Sequence, residues 1–363
     1  MSSFKNTILK FVFTILGKFS RTKKITSEKN VLIVSTTGMG DSLWGTPAIN
    51  YLAKYHQCNI DVLTSTVGIQ VLMHNPDINK IYCYWSNSFF ALFKLIKTML
   101  FNTYDQVFLF HASQRIVPYI AYLANPKAFY CIDHLSNKVA DMYTEIFRIS
   151  DYPESHQVQW RLNLVEKFYP KSNVEIFQPQ LKIFLTDKEN EQVDAFCMKH
   201  QLEKDNYVFV QPGANGKHKQ WSPDNFRQAV IFMTQKLNKK VVVSGSRNEI
   251  KLVETITKGL NENVISIKGE FPVKVVAGII RNAEFMLTND TGPMHLGEAF
   301  HIPMIVIILK KFYFEAWPIL NHAYTKVLMV DYHQYGEYMK QPSLEVVVNE
   351  LNHYFDNKAS IGV

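Results

Sequence analysis

The sequence has few cysteines, and none of them lies in a metal-binding motif. Its 363 residues include four cysteines, Cys58, Cys83, Cys131 and Cys197, with no C-x-x-C spacing and no metal-like cluster. This excludes a zinc site built on paired cysteines. We interpret the four side chains as reduced core thiols of a cytoplasmic protein.

Internal repeats, low-complexity tracts and a dinucleotide fingerprint are absent as well. The glycines Gly38 and Gly40 follow an apolar run, but the third glycine of a G-x-G-x-x-G motif is missing after them. Repeat architectures and the usual dinucleotide-binding glycine loop are therefore excluded. What remains is an ordinary globular composition, with 47% hydrophobic residues over a length that suggests two domains.

Positive charge is concentrated at the start of the chain. The first thirty residues carry a net charge of +6 out of a total of +7, so the remaining residues are close to neutral. A nucleic-acid-binding fold would carry a basic patch on its globular body. The sequence therefore predicts a basic segment attached to a neutral globular body, with no nucleic-acid partner.

Residues 1–28 are predicted to form a basic amphipathic helix. Polar residues recur every three or four positions from Thr7 to Arg21 and leave a wide apolar face between them. Lysines interrupt the apolar run and no cleavage site follows, so we expect no secretory signal, and the run is too short to span a bilayer. Two interpretations remain open: a helix lying on the anionic inner face of a membrane, or a helix docked on the protein itself.

Apolar strand-like runs alternate with helix-length segments through the rest of the chain. This spacing predicts an α/β fold with two doubly wound, Rossmann-like domains of parallel strands, facing each other across a cleft. We place the first domain at residues 29–182 and the second at residues 183–345. A last helix, residues 342–356, is expected to pack back on the N-terminal domain. In such sheets, ligands bind at the loops that follow the carboxyl ends of the strands.

The first of three candidate loops runs from Ser35 to Ile49 and contains Asp41. Gly38 and Gly40 permit a tight turn, and Asp41 falls at the start of the next helix, where the positive end of the helix dipole stabilises a carboxylate. A carboxylate at this position can act as a general base. The alternative is a helix cap, which on spacing alone is the commoner interpretation.

The second candidate loop, Gln211 to Phe226, combines Gly213 with the cations Lys217 and Lys219. A lysine beside exposed amides suits a diphosphate, whose charge must be neutralised as it leaves. Ser222 and Pro223 are typical of a helix start. A solvated loop with ordinary surface lysines is the alternative.

The third candidate loop is the stretch Leu287 to Ala299, in which an apolar strand ends at Asp290 and a helix begins at once. Thr291 or Gly292 would cap that helix, and Pro293 fits its first turn. The N–H groups of Thr291, Gly292 and Met294 would then form an anion site. His295 lies one turn further. A histidine there is more often packed or exposed than catalytic, although the nearby anion site favours a role.

Four motifs in order resemble the bacterial heptosyltransferases of glycosyltransferase family 9. They are GMGDSLWGTPA, QPGANGKHKQWSPDNF, SGSRNE and TNDTGPMHLGEA, and the similarity extends from about residue 30 to residue 350. The resemblance implies a GT-B architecture and an inverting glycosyltransferase without a metal cofactor, and no D-x-D motif is present to hold one. It also implies ADP-heptose as donor and the lipid-linked inner core of lipopolysaccharide as acceptor, on the cytoplasmic face of the inner membrane.

The resemblance also assigns roles to individual residues. Asp41 matches the family's proposed base, Lys219 its phosphate-contacting lysine, and Glu249 the acidic residue that contacts the nucleotide ribose. The D-T-G-x-x-H element falls on Asp290, Thr291, Gly292 and His295. The complete set of donor-binding candidates is Gly40, Gly213, Glu249, Asp290, Thr291, Gly292, Pro293, Met294 and His295.

Two departures from the family pattern concern the donor. Lys219 is separated from Pro223 by one residue more than in many members, and the segment 309–319 is bulky and aromatic where a Gly-Pro-Thr turn is common. The identity of the nucleotide sugar is therefore open. Two other functions also remain, a nucleotide-sugar epimerase with the same architecture and a noncatalytic sugar-nucleotide-binding protein.

Overall fold

The computed structural model describes residues 29–84, 88–112, 114–133, 142–149, 155–170, 177–309, 324–329 and 341–361. The predicted basic helix at residues 1–28 lies outside this part of the chain, as does nearly all of the aromatic segment 309–319. The chain divides into two compact units, Met1–Phe184 and Leu185–Val363. This division falls two residues beyond the end of the predicted first domain at residue 182.

The first unit is built on a sheet of six parallel strands in the order β3-β2-β1-β4-β5-β6. The strands are β1 (Asn30–Ser35), β2 (Asn59–Ser65), β3 (Lys80–Tyr84), β4 (Gln106–His111), β5 (Ala128–Ile132) and β6 (Glu145–Phe147). The helices are α1 (Met39–Trp44), α2 (Thr46–His56), α3 (Thr66–Leu72), α4 (Phe89–Phe101), α5 (Val117–Tyr122) and α6 (Gln157–Phe168). Residues 31–34 of the central strand β1 are fully buried, because helices cover both faces of a parallel sheet.

The second unit repeats this plan with six parallel strands in the order β12-β11-β10-β7-β8-β9. Its strands are β7 (Tyr207–Gln211), β8 (Lys240–Gly245), β9 (Val264–Lys268), β10 (Phe285–Asn289), β11 (Met304–Ile307) and β12 (Thr325–Leu328). Its helices are α7 (Asp187–Lys199), α8 (Pro223–Gln235), α9 (Ile250–Thr257), α10 (Val273–Arg281), α11 (Gly292–Ala299) and α12 (Leu344–Ile361). The predicted pair of Rossmann-like, doubly wound domains is thus confirmed.

The last helix, α12, is longer than predicted and packs into the core of the second unit. Val347, Leu351 and Tyr354 are completely buried there, and the ring of Tyr354 lies 4.4 Å from that of Phe285 in β10. The buried face of α12 therefore belongs to its own unit. Contact of this helix with the N-terminal domain stays a prediction.

The topology determines where functional side chains can gather. All strand pairs are parallel, so the carboxyl ends of the strands in each sheet lie at one edge. In the first unit this edge carries the loop from β1 to α1. In the second unit it carries the loops that follow β7, β8 and β10, which contain the remaining candidate residues.

Candidate active site

Asp41 is held at the start of α1 by the turn that follows β1. Its Oδ2 accepts hydrogen bonds from the Thr37 hydroxyl at 2.7 Å and from the Gly38 N–H at 3.3 Å. Gly38 is the cap residue, and Asp41 is the third residue of the helix. The carboxylate therefore stabilises the helix start, although from the third position of the helix and not as the cap residue, and about a fifth of its side chain (21%) stays exposed. Gly40 lies in the same first turn, partly exposed.

Arg161 is the partner of Asp41 that the sequence motifs did not indicate. Its side chain is completely buried, and its Nη2 lies 3.3 Å from Asp41 Oδ1. Its Nη1 donates to the backbone carbonyl of Gln157 at 2.8 Å and to the side-chain Oε1 of Gln157 at 2.7 Å. The guanidinium also lies 5.4 Å from the ring centre of Trp44. These contacts fix a cation behind the carboxylate.

One sequence signal could have revealed Arg161. It lies on helix α6 at helical spacing from Val158, Leu164 and Val165, which are all buried. A charged residue within an apolar helix face is rarely buried unless it is paired. The pattern indicates a buried arginine, although it does not identify the carboxylate on the other side.

The surroundings of Asp41 keep its carboxyl group ionised. Burial raises the pKa of Asp41, but the charges of Arg161 and His111 and the hydrogen bonds from Thr37 and Gly38 outweigh burial and hold the pKa below its ordinary value. Burial lowers the pKa of the Arg161 guanidinium to about 10, so this group is still a cation at neutral pH. At neutral pH the site therefore contains a carboxylate able to accept a proton, next to a fixed positive charge.

Lys219 occupies the corresponding edge of the second unit. It ends a short 3-10 turn, residues Lys217–Lys219, and its Nζ lies 3.1 Å from Asp290 Oδ2. Both side chains are about a quarter exposed, with relative exposures of 22% and 24%. Two of the predicted residues, one after β7 and one after β10, are thus brought together as an ion pair.

Asn289 positions this pair. Its Oδ1 accepts a hydrogen bond from the Trp221 N–H at 3.1 Å, and its Nδ2 donates to the Pro212 carbonyl at 2.7 Å. The buried amide therefore connects the end of β10 to both ends of the loop that carries Lys219. The sequence motif contained Asn289, but its connecting role depends on the tertiary structure.

Helix α11 has its cap at one of the two predicted residues, but one of its three predicted outward-pointing N–H groups is already hydrogen-bonded. Thr291 is the cap residue, in an extended conformation with no hydrogen bond from its side chain, and Gly292 and Pro293 begin the helix. The Met294 N–H donates to the Thr291 carbonyl at 3.1 Å. The expectation that this amide points outward is therefore wrong, because a turn hydrogen bond already uses it.

His295 is a core residue of the second unit. Its side chain is buried and its Nδ1 lies 2.9 Å from Glu298 Oε2, in the next turn of α11. The packed position is the commoner one for a histidine in such a sequence, as noted above. A contact between His295 and a ligand stays a prediction.

Gly213 and Glu249 meet at the ends of β7 and β8. The Glu249 carboxylate accepts hydrogen bonds from the Ser246 N–H and hydroxyl, both at 2.8 Å. A Cβ placed on Gly213 would lie 2.0 Å from Glu249 Oε1, so no larger residue fits there unless the carboxylate moves. The two predicted residues therefore form one packed contact, and the glycine allows it.

Within the described residues, no group of three or more histidine, cysteine, aspartate or glutamate side chains is arranged to hold a metal ion. No helix in this part of the chain is long and apolar enough to cross a membrane.

Two parallel α/β units with their loops at the carboxyl edges are the architecture of the GT-B fold. The chain belongs to glycosyltransferase family 9 (heptosyltransferase), whose family model matches residues 92–344. The family, the fold and the enzyme class predicted from the sequence are thereby confirmed. Asp41 precedes the matched segment, whereas Lys219, Glu249 and Asp290 lie inside it.

The chain is similar to several characterised proteins. It is 26% identical over 281 residues to lipopolysaccharide heptosyltransferase 3 of Escherichia coli K12, covering 73% of this chain and 78% of that protein. It shares its fold with a glycosyl transferase of family 9 from Veillonella parvula, with a TM-score of 0.77 at 19% identity, covering 92% of this chain and 100% of that one. The ADP-heptose LPS heptosyltransferase II of E. coli gives a TM-score of 0.71 at 18% identity, with 91% and 99% covered.

Proposed function

We propose that this enzyme transfers a heptose from ADP-heptose to the inner core of lipopolysaccharide, with inversion at the anomeric carbon. Three observations support this proposal. The family match covers most of the chain, a relative at 26% identity is a lipopolysaccharide heptosyltransferase, and one structural neighbour is described as an ADP-heptose enzyme. The observation that carries the mechanism is the ionised, partly exposed Asp41 carboxylate beside the buried Arg161.

In the proposed reaction Asp41 is the general base. It takes the proton from an acceptor hydroxyl, and that oxygen forms a bond to the anomeric carbon of the donor from the face opposite the leaving group. The bond between the anomeric carbon and the diphosphate breaks, and ADP leaves with the electron pair. Arg161 acts as a positioning residue, because its charge keeps Asp41 deprotonated before the acceptor arrives.

The positive charge for the departing diphosphate comes from the second unit in this proposal. Lys219 is held 3.1 Å from Asp290 at the start of α11, whose first N–H groups and dipole also favour an anion. A phosphate would then compete with Asp290 for the lysine. The chain itself supplies these donors, so the proposed reaction requires no metal cofactor.

The nucleoside end of the donor is assigned to Glu249. Its carboxylate is held by Ser246 and lies against Gly213, where a backbone without a side chain permits close approach. A carboxylate at the end of a strand can accept hydrogen bonds from the ribose hydroxyls. Gly40 and Gly292 are proposed as backbone contacts, Pro293 as a packing contact, and Thr291 and His295 as further donor contacts, whereas the Met294 N–H is already used by the Thr291 carbonyl.

The acceptor is proposed to be lipid-linked, which would bring the enzyme to the cytoplasmic surface of the inner membrane. The basic, amphipathic character of residues 1–28 supports this proposal, since such helices bind anionic surfaces. A peripheral enzyme held there would meet an acceptor that cannot leave the bilayer.

Replacement of Asp41 by Asn tests the mechanism. The amide can still accept the hydrogen bonds from Thr37 and Gly38 but cannot take up a proton, so turnover should fall by about 10² to 10⁴ while donor binding is retained. Asp77→Asn is a matched control, because Asp77 accepts a hydrogen bond from Asn50 at 2.9 Å and has no assigned role. Initial rates of ADP release and calorimetric donor affinity are the measurements. Turnover of Asp41→Asn at the control's level would remove Asp41 from the reaction.

The donor is tested separately from the mechanism. A thermal-shift series with ADP-, UDP-, GDP- and CMP-sugars should give the largest rise in melting temperature with ADP-heptose. A ligand that binds only the native state stabilises it by about 2.7 kcal/mol at a hundredfold excess over Kd. Product analysis with the donor alone distinguishes transfer from epimerisation, since an epimerase needs no acceptor. A larger shift with another nucleotide sugar would contradict the ADP-heptose assignment.

A further inference from the structure

Helix α4 exposes aromatic side chains on the outside of the first unit. Leu95 and Met99 anchor it in the core, with Leu95 5% and Met99 0% exposed. On the outer side, however, Phe89 is 79%, Phe90 86% and Phe93 61% exposed. Single exposed apolar residues are common in soluble proteins, but adjoining large ones form a patch that marks an interaction surface.

The charge on this face is entirely positive. Lys94 and Lys97 are also exposed, and the thirteen residues of α4 include no aspartate or glutamate. At about 100° per residue, Phe90, Phe93, Lys94 and Lys97 fall within a sector of about 100° opposite the buried side. Phenylalanine and lysine therefore alternate on one surface, which we call the Phe–Lys face of α4 (Phe89, Phe90, Phe93, Lys94 and Lys97).

This combination suits a bilayer surface with anionic headgroups. Aromatic rings can enter the boundary between headgroups and acyl chains, while lysine side chains extend along the apolar surface and place their ammonium groups at the phosphates. A helix of thirteen residues is too short to span the bilayer and would lie in its plane. Protein–protein interfaces are also rich in aromatic residues but are depleted of lysine, so exposed rings beside lysines favour a bilayer.

We propose that the Phe–Lys face of α4 is a docking surface for an anionic lipid bilayer. This contact is additional to the one proposed for residues 1–28 and is built into the folded first unit. Because Leu95 and Met99 fix α4 to the core, binding through this face would also fix the orientation of the unit.

The position of α4 in the sheet gives this orientation a consequence for the reaction. Helix α4 begins shortly after the carboxyl end of β3, and β3, β2 and β1 are parallel neighbours. The start of the helix, with Phe89 and Phe90, therefore lies at the sheet edge that also carries the loop with Asp41. A bilayer at this face would bring a lipid-linked acceptor toward that edge; this step rests on the proposed function, whereas the docking itself does not.

The test compares full-length variants on vesicles that contain no acceptor lipid, so a failed sugar-transfer proposal cannot affect it. The variant of the face carries Phe89→Ser, Phe90→Ser and Phe93→Ser. The matched control carries three exposed apolar residues of the second unit changed in the same way: Met198→Ser, Ile250→Ser and Val346→Ser. Co-sedimentation with phosphatidylglycerol vesicles gives the partition coefficient, which should fall at least about tenfold in the first variant and stay at the parent value in the control.

A second variant tests the charges. Lys94→Gln and Lys97→Gln should each lower binding to phosphatidylglycerol vesicles about fivefold and leave binding to phosphatidylcholine vesicles unchanged. Added salt should weaken the vesicle binding of the parent protein more than that of the variant that carries both lysine changes. All positions are exposed, and circular dichroism with thermal melting checks that each variant is folded.

Three results would overturn the proposal. The first is a parent protein that does not bind anionic vesicles at all. The second is a serine variant that binds like the parent, which would leave the membrane contact to residues 1–28. The third is a serine variant that changes from dimer to monomer in light scattering while vesicle binding is unaltered, because the face would then be covered by a second copy of the chain.

Discussion

Replacing Arg161 by Met should change the pH dependence of the reaction more than the stability of the fold. The guanidinium is completely buried and its Nη2 lies 3.3 Å from Asp41 Oδ1, whereas the Asp41 side chain is 21% exposed. Methionine is unbranched and apolar and can follow the buried path of the arginine stem, but it carries no charge and cannot donate to Gln157. The variant therefore removes the charge behind the carboxylate together with these hydrogen bonds and retains the aliphatic packing.

The loss of stability can be bounded from the structure. Breaking a fully buried ion pair on one side destabilises a protein by about 3 to 5 kcal/mol. Two features reduce this for Arg161: solvent reaches Asp41, and burial lowers the pKa of the guanidinium from 12.5 to about 10 even beside Asp41. This cost of burying the charge disappears in the variant. We expect a loss of about 1 to 3 kcal/mol in the free energy of unfolding.

The effect on Asp41 has a definite sign. In the parent protein its pKa is below the ordinary value of 3.8, so its contribution to stability is fully present above pH 3.8 and is lost as the pH falls through the folded-state pKa. Without Arg161, burial is opposed only by His111, Thr37 and Gly38, and the pKa of Asp41 rises. The acid limb of kcat/KM against pH should consequently move to higher pH.

The assay is the rate of ADP release at subsaturating donor between about pH 4 and pH 8, with urea unfolding at pH 7 as the measure of stability. Lys167→Met is the control, on the same helix α6, where an exposed ion pair with Glu145 contributes about 0 to 1 kcal/mol. Its acid limb should coincide with that of the parent. An unmoved acid limb in a folded Arg161→Met protein would refute the reasoning, because Arg161 would then not control the ionisation of the proposed base.

Two further predictions concern the second unit. Lys219→Met should lower kcat/KM about 10- to 150-fold, because one charge-assisted hydrogen bond of about 1.5 to 3 kcal/mol is lost. Stability in urea should change little, because the ion pair of Lys219 with Asp290 is partly exposed. An equal loss of kcat/KM in the neighbouring Lys217→Met would contradict this prediction. Gly213→Ala should weaken donor binding in calorimetry, because the added Cβ would lie 2.0 Å from the Glu249 carboxylate. Adding Glu249→Ala to this variant removes the clash, so the melting temperature lost in Gly213→Ala should return, but the affinity for the donor should not. Restored donor affinity would show that Glu249 does not contact the donor.

The central strands could be predicted from the sequence because burial on both faces demands continuous apolar runs. Strand β1, with residues 31–34 fully buried, is such a run, and so is β8, with residues 241–243. Strands β3 and β6, which lie at the two edges of the first sheet, are harder to predict. Edge strands are only partly buried, and β6 is three residues long, so neither leaves a strong apolar signal.

The candidate site divides in the same way into local and tertiary features. Glycine turns, a helix cap at Thr291 and a lysine before a helix are local, and the sequence indicates each of them. The pairing of Asp41 with Arg161 joins residues 120 positions apart, and no local pattern specifies it. The engaged N–H of Met294 also escaped prediction, because the first turn of α11 forms a hydrogen bond to Thr291 that a continuous helix would not require.

The two units use helix starts for opposite purposes. At α1 the chain supplies its own anion, since the Asp41 carboxylate accepts a hydrogen bond from the Gly38 N–H and is kept ionised by Arg161. At α11 the side chain of the cap residue Thr291 makes no capping hydrogen bond, and Lys219 forms an ion pair with Asp290 just before the helix. In the proposed reaction the first arrangement keeps a proton acceptor ionised, and the second supplies a lysine and a helix start for the phosphate of a ligand. The proposed transfer needs both in one step, because the acceptor loses a proton as the diphosphate gains negative charge. Asp41→Asn should therefore lower turnover with donor affinity retained, and Lys219→Met should lower kcat/KM.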